Sequence, residues 1–376
     1  MPKGYLYRVQ ERLWRKAEQV FYSGRVNHSG DGIALLKLDK IGDYILFRNF
    51  IEETYNHFNG KRKLVFCGNV AVKEFAEKLD KEFIKEFIWV DVPKLFSCSY
   101  RFKIYRQLRK AGCHTLINCA YSRTVESDKV AYYSGAAEVI GFVGDETNMH
   151  PSHKQAGDKM YTKLVPSIEK CMFEFYRNRE LFNYVLGKEV KIEAPYIRRP
   201  ALSEEKRNKH ILIFPGAGDE IRKWSVTNYK QLSKELQDIY KLPILVCGPA
   251  NERNMGDRIA VGQEDKVVNT VGKYNLEETL NIVQSAKFVV TGDTGAMHIA
   301  LALGTPAVCI SNGNFYQRFC PYPGAMHKPL TVVYSDEFEK LVQNNPDAVR
   351  CAGSNADVNA ISVDKVITAM KNNIKL

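Results

Sequence analysis

The chain repeats one unit: a short, continuously apolar run, a loop containing glycine and aspartate, then apolar residues at helical spacing. Residues 33–38 form such a run, and Asp39-Lys40-Ile41-Gly42-Asp43 follows it. Phe47, Phe50, Ile51, Thr54, Tyr55 and Phe58 then mark one face of a helix. A run of that length, apolar except for Lys37, predicts a strand buried on both faces. Strands alternating with helices predict a parallel sheet covered on both sides, an α/β fold. The unit recurs at 64–67 with a helix through Val72, Phe75, Ala76 and Leu79, then as a strand at 87–90, a helix over 100–111 and a strand at 115–119.

The stretch 145–200 breaks this rhythm. It is charged and aromatic, with a helical segment near 170–185, and Pro195, Pro200 and the charged run 203–209 read as a linker. Alternation restarts with strands at 210–214, 244–247, 288–291 and 307–311. Helices run through Tyr229, Leu232, Leu236 and Tyr240, through Leu276, Leu280 and Val283, and over 296–303. A length of 376 residues suits two such domains better than one core. The expected parts are a basic amphipathic helix over 1–30, a domain over 31–200, a second over 201–355, and a C-terminal helix in 356–376.

The hydrophobic fraction of 45% and charged fraction of 26% exclude a disordered, collagen-like or disulfide-scaffold protein. No apolar stretch is long enough to span a bilayer, and no signal-peptide pattern opens the chain, so it reads as cytoplasmic. Lys and Arg number 54 against 43 Asp and Glu, a net +11 that favours anionic partners without choosing among them. No zinc-finger, RRM-type or helix-turn-helix signature points to nucleic acid. Nine scattered cysteines form no Cys-x-x-Cys pair, and Cys67, Cys119, Cys247 and Cys309 lie in or beside apolar runs, where reduced cysteine packs as a small hydrophobe. In the first thirty residues, Leu6, Val9, Leu13, Ala17, Val20 and Phe21 make an apolar stripe beside Arg8, Arg12, Arg15 and Lys16. Such a helix either packs on the body of the protein or rests on an anionic membrane surface.

Three loops carry possible chemistry. Gly292-Asp293-Thr294-Gly295-Ala296-Met297-His298 leaves a strand and opens a helix, where amides and the helix dipole attract phosphate; tight turns also use this spacing for steric reasons alone. Phe214-Pro215-Gly216-Ala217-Gly218-Asp219-Glu220-Ile221-Arg222-Lys223-Trp224 sets two cations beside an aromatic. It is either a diphosphate-binding loop or a solvated basic loop anchored by Trp224. Lys37-Leu38-Asp39-Lys40-Ile41-Gly42-Asp43 puts Asp43 at a helix start, as a cap or as a base.

Together these segments resemble glycosyltransferase family 9, the lipopolysaccharide heptosyltransferase family. The resemblance rests on Lys37–Asp43, on Phe214-Pro215-Gly216-Ala217 with Arg222-Lys223-Trp224, and on Asp293 to Ala300 followed by Leu303-Gly304-Thr305-Pro306, in matching order and spacing. It implies a GT-B fold, two Rossmann-like domains facing each other across a cleft. The first domain would bind the acceptor, the second the nucleotide sugar, and a final helix over 363–374 would pack back across the junction. It implies inverting transfer of a sugar, heptose from ADP-heptose, onto an anionic, lipid-linked lipopolysaccharide-core or related glycan at the inner membrane surface. Inverting transfer needs a base on the acceptor hydroxyl and a stabiliser for the departing diphosphate. Asp43 fits the base. Arg222, Lys223 and the amides of Thr294, Gly295, Ala296 and Met297 fit the stabiliser. Asp293 and His298 fit the donor sugar, and Glu252 its ribose. The absence of an Asp-x-Asp motif predicts no metal, and no cofactor is expected beyond the donor. A sugar-nucleotide epimerase on the same architecture would need no acceptor. A noncatalytic nucleotide-sugar binder would need no base.

Overall fold

The computed structural model describes residues 30–373, together with Lys16, Glu18 and Val20. The chain divides into two compact bodies: Met1–Ile168 with Arg177–Lys191, and Glu169–Tyr176 with Ile192–Leu376. Sequence composition suggests one crossing at 200/201. Instead the chain passes between the bodies three times, because residues 169–176 and 192–200 pack with the second body.

The first body holds a six-stranded sheet of β1 (Ile33–Lys37), β2 (Leu64–Asn69), β3 (Glu86–Val90), β4 (Thr115–Asn118), β5 (Glu138–Phe142) and β6 (Lys163–Val165). Its order is β3-β2-β1-β4-β5-β6, and every pairing is parallel. The second holds β7 (Ile211–Phe214), β8 (Ile244–Val246), β9 (Val267–Asn269), β10 (Phe288–Gly292), β11 (Ala307–Ile310) and β12 (Leu330–Val333), in the order β12-β11-β10-β7-β8-β9. It too is wholly parallel. Counting strands from β7, both sheets have the doubly wound order 3-2-1-4-5-6. The strand order reverses between β1 and β4 in one and between β7 and β10 in the other, and crevices for ligands open at such points.

The central strands are buried throughout, as their apolar runs predict: β1, β2, β4 and β10 expose nothing. The C-terminal helix Val363–Asn373 lays Val363, Val366, Ile367 and Met370 on the core of the second body, beside Ile211, Val290 and Val308. Cys67, Cys119, Cys247 and Cys309 are buried, as expected. Cys171 and Cys351, however, are joined by a disulfide across 180 residues, which their isolated positions in the sequence do not signal.

At the N-terminus most of the proposed amphipathic helix lies outside the described residues. Where it is described, Glu18 rather than Val20 faces inward. Glu18 is fully buried, 2.6 Å from Arg101 and 3.6 Å from Lys129, whereas Val20 is 74% exposed. Burial of an ion-paired glutamate follows the packed-helix alternative at this turn.

The helical face from Phe47 to Phe58 is two helices, Ile41–Phe47 and Asn49–His57. At the junction Ile51 N–H bonds the Arg48 carbonyl three residues back, a tightened turn. Arg48 and Tyr44 both reach Asp80, which is fully buried. The Arg48 guanidinium lies 2.6 Å from one carboxylate oxygen and the Tyr44 hydroxyl donates to the other. Asp80 follows the helix Lys73–Leu79, so this cluster fixes the helix that carries Asp43. Burial pushes the Asp80 carboxyl and the Tyr44 phenol up, while the Arg48 charge opposes both shifts. Removing one member of a buried ion pair leaves its partner's charge poorly compensated. Asp80→Ala is therefore expected to cost about 3–5 kcal/mol in urea unfolding, with the m-value unchanged.

Candidate active site

The loops singled out in the sequence lie at the carboxyl ends of the strands flanking the two reversal points. In the second body, the loop after β7 runs into a short turn, Glu220–Arg222. Arg222 donates to the backbone carbonyl of Asp293, after β10, at 3.2 Å and to Asp219 at 3.0 Å. Its Nε is shut off from solvent and has no hydrogen-bond acceptor among the described residues. Lys223 pairs with Glu220. Trp224 is 2% exposed, donates to the Ile361 carbonyl at 2.9 Å and meets Tyr229 edge-on. The anchoring role for Trp224 therefore holds, and it fixes the two cations beside it.

Glu252 reaches this loop from the turn after β8. A Cβ added to Gly216 would lie 2.1 Å from its carboxylate, and one added to Gly248 2.6 Å away. Both glycines thus make room for the carboxylate. Burial pushes the Glu252 carboxyl up, and Lys223 opposes the shift.

Asp293 ends the strand run, 8% exposed, its carboxyl pushed up to about 6 by burial against the opposing pull of Arg222. The helix Gly295–Leu303 begins next, and no side chain caps it: the Thr294 hydroxyl pairs with that of Thr291 at 3.0 Å. Its opening amides, those of Gly295 and Ala296, therefore stand where a first turn lacks intrahelical partners. Met297 differs from the sequence expectation. Its N–H bonds the Thr294 carbonyl at 3.1 Å, and its side chain is fully buried. His298 is 3% exposed with Nδ1 2.9 Å from the Tyr322 hydroxyl, and burial pushes its pKa down to about 3. It is a neutral ring braced by tyrosine at physiological pH.

In the first body, Asp43 is the third residue of Ile41–Phe47 and is half-buried. The N-cap, Lys40, supplies no side-chain bond. Sequence reasoning missed what lies under this loop. Lys37, at the end of β1, is 2% exposed, and its ammonium lies 3.1 Å from the Cys119 carbonyl beyond β4 and 3.0 Å from Asp39. One buried cation thus joins both sides of the reversal point and occupies Asp39, the other carboxylate of the motif. Arg123, 1% exposed, bonds Asp128, Asp158 and the Val143 carbonyl and stacks on Tyr161. Its place in Cys119-Ala120-Tyr121-Ser122-Arg123, directly after a buried strand, was the available signal.

The Asp293 environment makes a pH-dependent prediction. Its folded pKa, about 6, exceeds the unfolded value near 3.8. The stabilising contribution is thus complete below pH 4 and disappears as pH rises through 6. Above that, the buried charge costs up to about 3 kcal/mol. Asp293→Asn removes the charge at nearly constant shape. It is expected to raise the melting temperature of the free protein at pH 7.5 and to leave it nearly unchanged at pH 4.

Residues 101–335 match the model of glycosyltransferase family 9 (heptosyltransferase). Lipooligosaccharide heptosyltransferase 2 of Haemophilus influenzae is 28% identical over 235 residues, which are 57% of this chain and 64% of the relative. The lipopolysaccharide core heptosyltransferase OpsX of the same species is 24% identical over 169 residues, 43% of this chain and 48% of the relative. The chain therefore spans between about half and just under two thirds of the length of these relatives. Among solved structures, a family 9 glycosyltransferase from Veillonella parvula superposes with a TM-score of 0.70 at 15% identity, over 93% of this chain and 99% of the other. The Escherichia coli ADP-heptose lipopolysaccharide heptosyltransferase II does so with a TM-score of 0.65 at 16% identity, over 91% and 98%. The fold class is GT-B, as the sequence resemblance implies, and with most of the chain inside the family match, this protein belongs to glycosyltransferase family 9.

Proposed function

We propose that the protein transfers heptose, with inversion, from ADP-heptose to a lipopolysaccharide-core or related acceptor. The observation that carries this reading is the group at the β7/β10 reversal. Arg222, with a buried and unsatisfied Nε, is fixed on the Asp293 carbonyl beside the uncapped start of Gly295–Leu303. A diphosphate supplies the missing acceptor and meets the helix amides at once. The relatives support the choice of sugar: the two from Haemophilus influenzae and the Escherichia coli structure named above are heptosyltransferases, and the fold relative WaaC of Escherichia coli has been solved with ADP and with ADP-2-deoxy-2-fluoro heptose.

In this reading the acceptor hydroxyl oxygen attacks the anomeric carbon as the bond to the diphosphate oxygen breaks. The electron pair leaves on the diphosphate, where Arg222, Lys223 and the Gly295 and Ala296 amides hold the charge. The hydroxyl proton passes to Asp43. Asp293 takes hydrogen bonds from the sugar through its carboxylate, since its carbonyl is engaged by Arg222. Glu252 accepts from the ribose. No metal is assigned a step.

Calorimetry with ADP-heptose against other ADP-, UDP- and GDP-sugars tests the donor. Tightest binding of ADP-heptose is expected, and preference for another nucleotide sugar would overturn the assignment. Arg222→Ala with Lys223→Ala should weaken ADP and ADP-heptose alike. Asp43→Asn should preserve donor affinity and lower turnover by roughly 100- to 10,000-fold. Donor turnover at full rate without acceptor would indicate an epimerase instead.

The same proposal places the enzyme in the cytoplasm at the inner membrane surface, where a lipid-linked acceptor would be presented. No helix among the described residues is long and apolar enough to cross a membrane. Arg8, Arg12, Arg15 and Lys16 supply cations worth about 1 kcal/mol each near an anionic surface. Deleting residues 1–28 should lower co-sedimentation with anionic liposomes at low salt. Unchanged binding would remove the N-terminal segment from this role.

A further inference from the structure

The disulfide Cys171–Cys351 belongs to none of the chemistry above, yet the groups around it lead to the donor loops. Cys171 lies in the segment 169–176, which packs with the second body although the residues on either side belong to the first. Two residues on, Phe173 packs edge-on against Tyr322 with ring centroids 4.7 Å apart. Tyr322 holds His298 in the helix Gly295–Leu303. Glu174 is buried, pairs with Arg318 at 3.0 Å, and donates its N–H to the Arg318 carbonyl.

The other half-cystine leads to the other donor loop. Cys351 N–H bonds the Tyr316 carbonyl, and Phe315 N–H bonds that of Ala352. Ser354 donates to the Asn312 carbonyl at 2.6 Å, and Asn312 donates to the Ile221 carbonyl at 3.4 Å. Ile221 immediately precedes Arg222. One covalent bond therefore ties together two chains of contacts, one ending at the His298 ring in the helix Gly295–Leu303 and the other at the Ile221 carbonyl, one residue before Arg222.

Both half-cystines are partly exposed, and Cys351 is held at φ +54°, a conformation that a non-glycine residue adopts only under constraint. Seven other cysteines are free, and six of them are buried; only Cys98 is partly exposed. In the cytoplasm, where the proposal above places this protein, disulfides are usually transient, serving catalysis or redox sensing.

We propose that Cys171–Cys351 is a reversible thiol–disulfide exchange site for dithiol reductants, and that its oxidised form holds the donor loops ready for the nucleotide. This rests on the donor site proposed above. In the exchange, a thiolate of the dithiol attacks one sulfur and the other leaves as thiolate. The second thiol of the reductant then closes its own disulfide and releases the remaining cysteine. Two electrons pass to the protein, the two released cysteines take up two protons, and the dithiol becomes a cyclic disulfide. Reduction leaves 169–176 without its covalent tie, held by noncovalent contacts such as Phe173–Tyr322, Glu174–Arg318 and Glu169–Arg350, so both paths to the donor loops loosen.

The test uses the full chain, oxidised or treated with dithiothreitol, with ADP as the probe in calorimetry. Hydrogen–deuterium exchange at 169–176 and 295–303 is followed in parallel, without nucleotide. Reduction should raise the free-thiol count from seven to nine. It should weaken ADP roughly five-fold or more and speed exchange in both segments. Glutathione disulfide should restore the oxidised values. Cys171→Ser with Cys351→Ser should match the reduced protein and ignore dithiothreitol. Exchange that is the same in oxidised and reduced protein, or an effect of dithiothreitol that survives in the double variant, would overturn the proposal. If neither form binds ADP while exchange still responds to reduction, the donor assignment fails, and with it the claim on nucleotide affinity; the exchange site stands.

Discussion

Everything functional in this chain depends on where its parallel strands stop. A parallel strand flanked by neighbours on both sides has its own hydrogen bonds satisfied, and the loops leaving its carboxyl end can turn their backbone outward. Only where the strand order reverses do the two adjacent loops diverge to opposite faces and leave room between them. In this protein that happens between β1 and β4 and again between β7 and β10. The candidate residues crowd those two places: Lys37 and Asp43 around one, Arg222, Asp293 and the amides of Gly295 and Ala296 around the other. Their identities differ, but the backbone logic is the same in both bodies.

The legibility of the strands follows burial only in part. The strands β1, β2, β4, β7, β8, β10 and β11 were readable because they are largely covered, so most of their residues are apolar; the partly exposed edge strand β3 was legible as well, from its apolar Phe87–Val90, whereas the buried β5 (Glu138–Phe142) was missed. The outer strands β6, β9 and β12 were not legible. Each is three or four residues long and partly exposed, as in Lys163–Val165, so no apolar run marks it. The division into bodies was only half legible. Pro195, Pro200 and the charged run after them do mark irregular chain, but residues 169–176 change body through packing by Phe173 and Glu174, which look like ordinary helix-start residues. In the site, the loops were identified by their glycines and charges. What each side chain touches was not legible. Met297 turns its amide into the helix, His298 turns its ring to Tyr322, Lys37 was placed in the strand and the motif but given no role, and Arg123 drew no attention because a lone basic residue in sequence reads as surface.

The resting state of the donor loop shows how a cationic site is kept shaped without being blocked. Arg222 and Lys223 are each paired three residues back, with Asp219 and Glu220, and those carboxylates are 67% and 87% exposed. Ion pairs with such exposed partners contribute roughly 0–1 kcal/mol, so the diphosphate of the proposed donor, with more charge and more acceptors, would displace them at little cost. The bond from Arg222 to the Asp293 carbonyl is different. It goes to a neutral acceptor just past a buried strand, it keeps the guanidinium aligned whether or not the carboxylates let go, and it engages the Asp293 carbonyl rather than its carboxylate. In the donor complex proposed above, a diphosphate and a carboxylate would share one small region because the arginine fixed between the two loops would face the phosphate while it lowers the cost of the buried carboxylate beside it.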